Sequence, residues 1–334
     1  MARLLTPVVG AIVGEEDGDT IDITTPPFRA GSIVAPAELE GTIVRLRGLV
    51  DELAGALPRH PEYSKLTAFI DPIDGTKEFC TGKGEQCSIC VGLADTATGQ
   101  AVGGLIYRPL CPQRSWALGC AREDVFQCEL RTVGEADQAA AATSSSCGGG
   151  CFLVSNSGAS PFLDALRVEL GFERRPAGGA GNKGLLVLEV PCACYIQDRG
   201  VSRWDSCAAQ AVLEAKGGLM VQLQPFVNGA LAEGGGNASS PVVLTPYTYR
   251  QGKVNTDFVP GASRLTKYNA ADCVLTDAES AKGAPPRYAQ DPCEFKPYAN
   301  TLGLLALRSK EPDALEAVRT AVVRAAAKCK PEYD

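Results

Sequence analysis

The chain has 334 residues, 45% of them apolar and 21% charged, enough to bury a large core and ordinary for a soluble globular protein of two domains. Its 39 acidic and 32 basic residues leave a net charge of −7, which argues against general binding to nucleic acid or to an anionic membrane. The single histidine, His60, lies in the loop-like Pro58-Arg59-His60-Pro61 and excludes His-centred triads and multi-His metal sites, and no apolar run is long enough to span a bilayer.

Residues 8–13 are apolar and strand-like and run directly into Gly14-Glu15-Glu16-Asp17. Three consecutive acids repel one another, so they are either fully solvated or gathered around a cation. Pro26-Pro27 marks a break. Residues 36–57 place Leu39, Ile43, Leu46, Leu49 and Leu53 at helical spacing, a stripe expected to face the core. Strands are expected at 66–71, 87–94 and 101–108, continuing at 115–120 and 125–131, so a strand-rich block after a helix points to an α+β first domain. The run Glu135 to Cys151, Ala-rich and then Ser- and Gly-rich, reads as the interdomain connection or a flexible loop. Beyond it, a strand at 152–155, a helix at 161–170, a glycine-rich helix start at 178–188, a strand at 191–197, a helix at 205–216 and a strand at 219–223 alternate as in an α/β domain. Residues 225–297 are rich in Gly, Pro, Asn and Ser and are expected to be irregular, with an Asn237-Ala238-Ser239 sequon that a cytosolic protein would not use. A core strand at 302–307 and a helix at 314–328 complete the chain. The fourteen cysteines are dispersed; Cys87 and Cys90 form the one C-x-x-C and lack the second ligand pair of a zinc site, so reduced thiols are expected.

The most informative run is Asp71-Pro72-Ile73-Asp74-Gly75-Thr76, where the apolar strand 66–70 gives way to a turn. Asp-Pro and Asp-Gly are common turn formers, but two oxygen-donor acids held there also suit a hard cation such as Mg²⁺. A third acid, Asp205, follows Trp204 and opens the Ala-rich helix that Gly217-Gly218 ends; an N-cap role and a site role are compatible there.

In this order, the Glu pair, the Asp71–Thr76 run and the Trp204-Asp205 helix resemble the motifs of the lithium-sensitive, Mg²⁺-dependent phosphomonoesterase superfamily, which includes inositol monophosphatases, bisphosphate nucleotidases and fructose-1,6-bisphosphatases. Within it, Gly178-Gly179-Ala180-Gly181-Asn182-Lys183-Gly184, Trp204 to Ala209 and Tyr298 to Ser309 most resemble the inositol polyphosphate 1-phosphatase branch, with the 3'(2'),5'-bisphosphate nucleotidases as the nearest competitor. The resemblance implies a layered αβαβα sandwich, α+β over residues 1–150 and α/β over 151–334. Family members carry several tens of residues before the Glu pair, forming helices and a hairpin and supplying a further Asp; these N-terminal helices are expected to be missing here, by a late gene-model start or a natural truncation.

The resemblance further implies hydrolysis of a phosphate monoester by metal-activated water. Glu15, Glu16, Asp71, the Ile73 carbonyl, Asp74 and Asp205 would hold two or three Mg²⁺ ions. Glu15, Asp74 and Thr76 would be catalytic, with Glu15 and Thr76 orienting the water. Gly75, Thr76, Ser155, Gly179, Ala180, Lys183 and Asp205 would contact a small phosphorylated substrate, and Arg199 and Arg203 are further candidates for distal phosphates. The expected protein is cytoplasmic, a monomer or homodimer, with no nucleic-acid or membrane partner. A catalytically inactive, metal- or phosphoinositide-binding relative is the reading of another class.

Overall fold

The computed structural model describes residues 5, 8–15, 36–57, 60–131, 150–156, 158–233, 244–250, 299–300 and 302–331. The first sheet takes its six strands in chain order: β1 (Ala11–Gly14), β2 (Leu66–Asp74), β3 (Ser88–Asp95), β4 (Ala101–Tyr107), β5 (Trp116–Cys120) and β6 (Val125–Glu129). β1 and β2 run parallel, and each later neighbour is antiparallel. Helix α1 (Glu40–Ala56) lies between β1 and β2, and the short α2 (Thr76–Cys80) follows β2.

The second half runs β7 (Cys151–Val154), α3 (Pro161–Leu170), β8 (Glu173–Pro176), α4 (Ala180–Glu189), β9 (Ala193–Gln197), β10 (Val201–Ser202), α5 (Arg203–Ala215), β11 (Leu219–Gln222), α6 (Leu223–Glu233), β12 (Ala299–Asn300), β13 (Leu304–Leu307) and α7 (Pro312–Lys328). Its sheet has the order β11-β13-β9-β7-β8, and β10 pairs with β12 apart from it. The strand side chains alternate between two cores, as a period of two requires. Leu153, Tyr195, Leu304 and Ala306 turn inward against α4 and α5, whose other side meets Phe69, Ile106 and Ala117 of the first sheet. Phe152, Ile196, Val221 and Leu305 turn outward against Phe162 of α3, Phe226 of α6 and Val322 of α7. The described residues thus form four layers, sheet, helices, sheet, helices, of the five expected from the resemblance.

A row of glycines brings α5 onto the first sheet. Gly92, Gly104 and Gly119 are register partners across β3, β4 and β5. A Cβ at Gly92 would stand 2.6 Å from the Cys207 sulfur, one at Gly104 2.5 Å from the Ala208 carbonyl oxygen, and one at Gly119 2.7 Å from the Ala215 Cβ. The row is a track in which the small-residue face of α5 lies, and this contact sets the height of Asp205 above β2. Gly104→Val is expected to cost about 2–3 kcal/mol by overpacking, read as a lower urea midpoint. Gly103→Ala, whose Cβ would make only ordinary contacts at 3.7 Å, serves as the tolerated control.

Three expectations change. Helix α1 forms, but its stripe is not core: Leu39, Leu46, Leu49 and Leu53 are exposed and no residue of the helix is buried. Helical periodicity specifies an apolar face and not what covers it, and among the described residues no element is packed over this one. Residues 225–233, expected to be irregular, are helical within α6, where Phe226, Val227 and Ala230 anchor a buried face against the second sheet. Arg203, offered as a contact for distal phosphates, is buried and donates through Nη1 to the Arg250 carbonyl. Pro26-Pro27, residues 135–149 of the expected connection, Asn237 and most of 234–298 lie outside the described residues. No described helix is long and apolar enough to cross a membrane.

Candidate active site

In a regular strand, residues three apart face opposite sides of the sheet. Asp71 and Asp74 escape this because the pairing of β2 with β3 slips: Asp71 is level with Cys90 and Asp74 with Ser88, so three steps along β2 match two along β3. The extra residue falls beside Pro72, which has no N–H to offer the ladder. The bulge restores the parity, and both carboxylates are buried on the inner face while Ile73 between them is exposed. The Ile73 N–H closes the turn by donating to Asp71 Oδ1 at 2.9 Å. Gly75 then takes a φ of 88°, a left-handed value that favours glycine, and starts α2. On the other side of β2, Gly14 is level with Ile70 and the Glu15 N–H donates to the Ile70 carbonyl at 3.2 Å, so the next residue pair along the two strands is Glu15 and Asp71.

Asp205 arrives from the second half. It occupies the third position of α5 in a reciprocal capping box with Ser202, whose N–H donates to Asp205 Oδ2 at 3.1 Å. It is therefore three residues inside the helix rather than the cap itself. Each of Asp71, Asp74 and Asp205 offers an oxygen within 4.8 Å of the others.

Asp74 is held at the N-terminus of α4. Its Oδ1 accepts from the Ala180 N–H at 2.9 Å, and its Oδ2 from the Gly181 N–H at 2.8 Å and the Ser88 hydroxyl at 2.6 Å. A Cβ at Gly179 would approach Asp74 Oδ2 to 2.8 Å, and one at Gly181 the Cys90 sulfur to 2.4 Å. The glycines of the Gly178–Gly184 run thus admit the carboxylate to the helix end. Because Asp74 takes the Ala180 N–H, a substrate contact at Gly179 or Ala180 has to use their remaining atoms.

Polar residues that sequence reasoning passed over complete the seam. Gln86 Oε1 accepts from the Gly178 N–H at 2.6 Å and from Asn156 Nδ2 at 3.1 Å, and Asn156 also donates to Glu78 Oε1 at 2.8 Å. Asn156 follows Ser155, the expected substrate contact, which is exposed at the end of β7. Thr76 is exposed and its hydroxyl donates to the Ile73 carbonyl at 3.1 Å, which leaves its oxygen open to accept. Lys183 is not a solvated helix residue: it is buried, with its ammonium 4.8 Å above the Tyr195 ring. Burial pulls that ammonium below its ordinary range, opposed by the charges of Asp74, Glu78 and Asp205. Arg199 is exposed, and Glu16 lies outside the described residues.

Gathering the carboxylates is costly without a countercharge. Burial, then the neighbouring Asp205, Asp74 and Glu15, push Asp71 up to about 10; burial, then Asp74, raises Asp205 to about 7. An all-oxygen donor set in which Asp71 and Asp205 resist ionising alone fits a hard divalent cation such as Mg²⁺. Both folded values lie above the unfolded carboxyl near about 4, so the folded chain binds extra protons and its cation-free stability falls as pH rises from about 4 through about 7 toward about 10. Since cations compete with those protons, the gain in melting temperature from Mg²⁺ over chelator is expected to be larger at pH 8.5 than at pH 5.5. Equal gains at both would contradict the cluster's coupling to a cation.

Comparison with known proteins identifies the family. The profile described as the inositol monophosphatase family matches residues 11–254. The Golgi-resident adenosine 3',5'-bisphosphate 3'-phosphatase of Rattus norvegicus is 28% identical over 176 residues, covering 50% of this chain and 45% of that protein. The inositol polyphosphate 1-phosphatase of Mus musculus is 27% identical over 202 residues, covering 53% and 51%. The chain spans about half the length of these curated relatives. An inositol monophosphatase structure from Zymomonas mobilis aligns over 84% of this chain and 81% of that one, at 14% identity and a TM-score of 0.43. With the family profile matched across both halves of the acid cluster, from the strand before Glu15 to beyond Asp205, the chain belongs to the inositol monophosphatase family.

Proposed function

We propose that this chain is a Mg²⁺-dependent phosphoric monoester hydrolase that removes the 1-phosphate of inositol polyphosphates such as inositol 1,4-bisphosphate and inositol 1,3,4-trisphosphate. The observation that carries the reading is the convergence of Asp71, Asp74 and Asp205 within 4.8 Å, with Glu15 beside Asp71. Two or three ions held by these acids, with Glu16 and the Ile73 carbonyl, would supply Lewis-acid charge and an acidified water. The chain's own groups do the rest. Glu15 and the Thr76 oxygen accept from the attacking water and aim it. The Gly75 and Thr76 N–H groups take phosphoryl oxygens, as turn N–H groups do. Lys183 brings its buried side-chain nitrogen to the same side as the acids.

The inositol branch is favoured by the runs Gly178–Gly184, Trp204–Ala209 and Tyr298–Ser309. A second reading, a 3'(2'),5'-bisphosphate nucleotidase, is favoured by the similarity to the rat 3'-phosphatase. Phosphate release measured in parallel with Mg²⁺ separates them: inositol 1,4-bisphosphate should turn over faster than 3'-phosphoadenosine 5'-phosphate. The reverse order would assign the nucleotidase, and no release from either would leave the inactive relative.

A further inference from the structure

The parallel strands β7, β8 and β9 point their C-terminal ends toward the acid cluster. At their opposite ends, between the C-terminus of α3 and the first turns of α7, lies a cavity of about 450 Å³. Leu170, Phe172, Cys194, Leu307 and Val318 form its walls. It stays open because α7 presents Ala314 and Ala317, one turn apart, where larger side chains would fill the space. That volume falls in the range of small-molecule sites, which pair an apolar lining with a few placed polar groups.

The polar groups are at the rim. Glu169 is tied to Lys328 by an ion pair and carries no spare charge. Arg308 and Ser309 stand at the end of β13, and Arg308 has no ionic or hydrogen-bond partner among the described residues. Among the described residues, the mouth therefore has one uncommitted positive charge beside a hydroxyl, over an apolar interior.

We propose that this cavity binds a small amphiphilic anion, its short alkyl or single-ring body among Leu170, Phe172 and Val318 and its carboxylate on Arg308 and Ser309. The site is remote from the acid cluster, so it is independent of the phosphatase reading. A guanidinium fork matches a carboxylate in geometry and charge, whereas a cation would meet Arg308 and a neutral chain would leave it unanswered.

Calorimetric titration of the whole chain, with Mg²⁺ and inorganic phosphate saturating, tests it with octanoate, octanol and octylammonium as probes. One octanoate per chain should bind, tighter than octanol, and octylammonium should not bind. Arg308→Gln should weaken octanoate by about tenfold, the scale of one charged hydrogen bond, and leave octanol unchanged. Ala317→Phe, at an exposed position of α7, should abolish binding of both while the melting temperature holds. No saturable octanoate binding, equal binding of octanoate and octanol, or octanoate binding that survives both substitutions would overturn the proposal.

Discussion

Asp74→Asn is expected to cut Mg²⁺-dependent phosphate release by roughly a thousandfold, the scale on which removal of one preorganised electrostatic group is felt. The substitution removes the charge that a cation would share with Asp71 and Asp205. It also disturbs the frame, because backbone N–H groups reach both oxygens, Ala180 on one side and Gly181 on the other. Whichever way an amide is turned, its NH₂ faces a donor that cannot rotate away. About 1–3 kcal/mol of stability should go with the activity. Ser88→Ala separates the two effects: it removes one donor to Asp74, keeps the charge, and should leave most of the turnover. Release rate and urea midpoint together check this, and an Asp74→Asn chain as active as the parent would contradict it.

The second large effect lies in the seam between the two halves. Arg108 is wholly buried and its guanidinium is committed throughout: Nη1 to Glu189 Oε1 at 2.6 Å and Ser115 Oγ at 2.8 Å, Nε to Asn182 Oδ1 at 2.7 Å, Nη2 to the Asn182 carbonyl at 2.9 Å. Glu189 also accepts from Arg131 at 3.1 Å. Burial works against ionising Glu189, but Arg108, Ser115 and Arg131 hold its carboxyl below the usual range. Asn182 in turn donates to the Gly178 carbonyl at 2.8 Å, so the network braces the helix end that carries Asp74. Arg108→Met should lower stability by about 3–5 kcal/mol, the cost of leaving a buried charge short of its partner. Arg108→Lys should recover only part, since an ammonium lacks the fork that reaches Glu189 and Asn182 together. Urea unfolding of both variants checks this. A loss below about 1 kcal/mol for Arg108→Met, the worth of an exposed pair, would show that the network does not hold the seam.

The contrast between Asp71 and Arg108 explains how much could be read from the sequence. Asp71, Asp74 and Asp205 stand in short runs whose neighbours, a proline, two glycines and an Ala-rich helix, announce their local structure. Glu15 follows a strand by one residue. The bulge that turns Asp71 and Asp74 to one side is a matter of register with β3, and only the proline hints at it. Arg108, Ser115, Asn182 and Glu189 belong to no periodic pattern; they meet because α4 packs on β4, and a tertiary contact between isolated polar residues leaves no local trace. The same limit applies to Gln86, Glu78 and Asn156. Residues 225–233 were hidden by the Gly- and Pro-rich composition that follows them, although Phe226, Val227 and Ala230 carry a helical face. The α1 stripe shows the reverse case, in which the pattern is plain and the covering surface is not.

Diffraction from crystals grown with Mn²⁺, recorded at its absorption edge, tests the central claim most directly. Anomalous density should appear within ligand distance of the Asp71, Asp74 and Asp205 carboxylates and be missing from the Asp74→Asn protein. An active, Mn²⁺-saturated chain with no metal between these three residues would contradict the account.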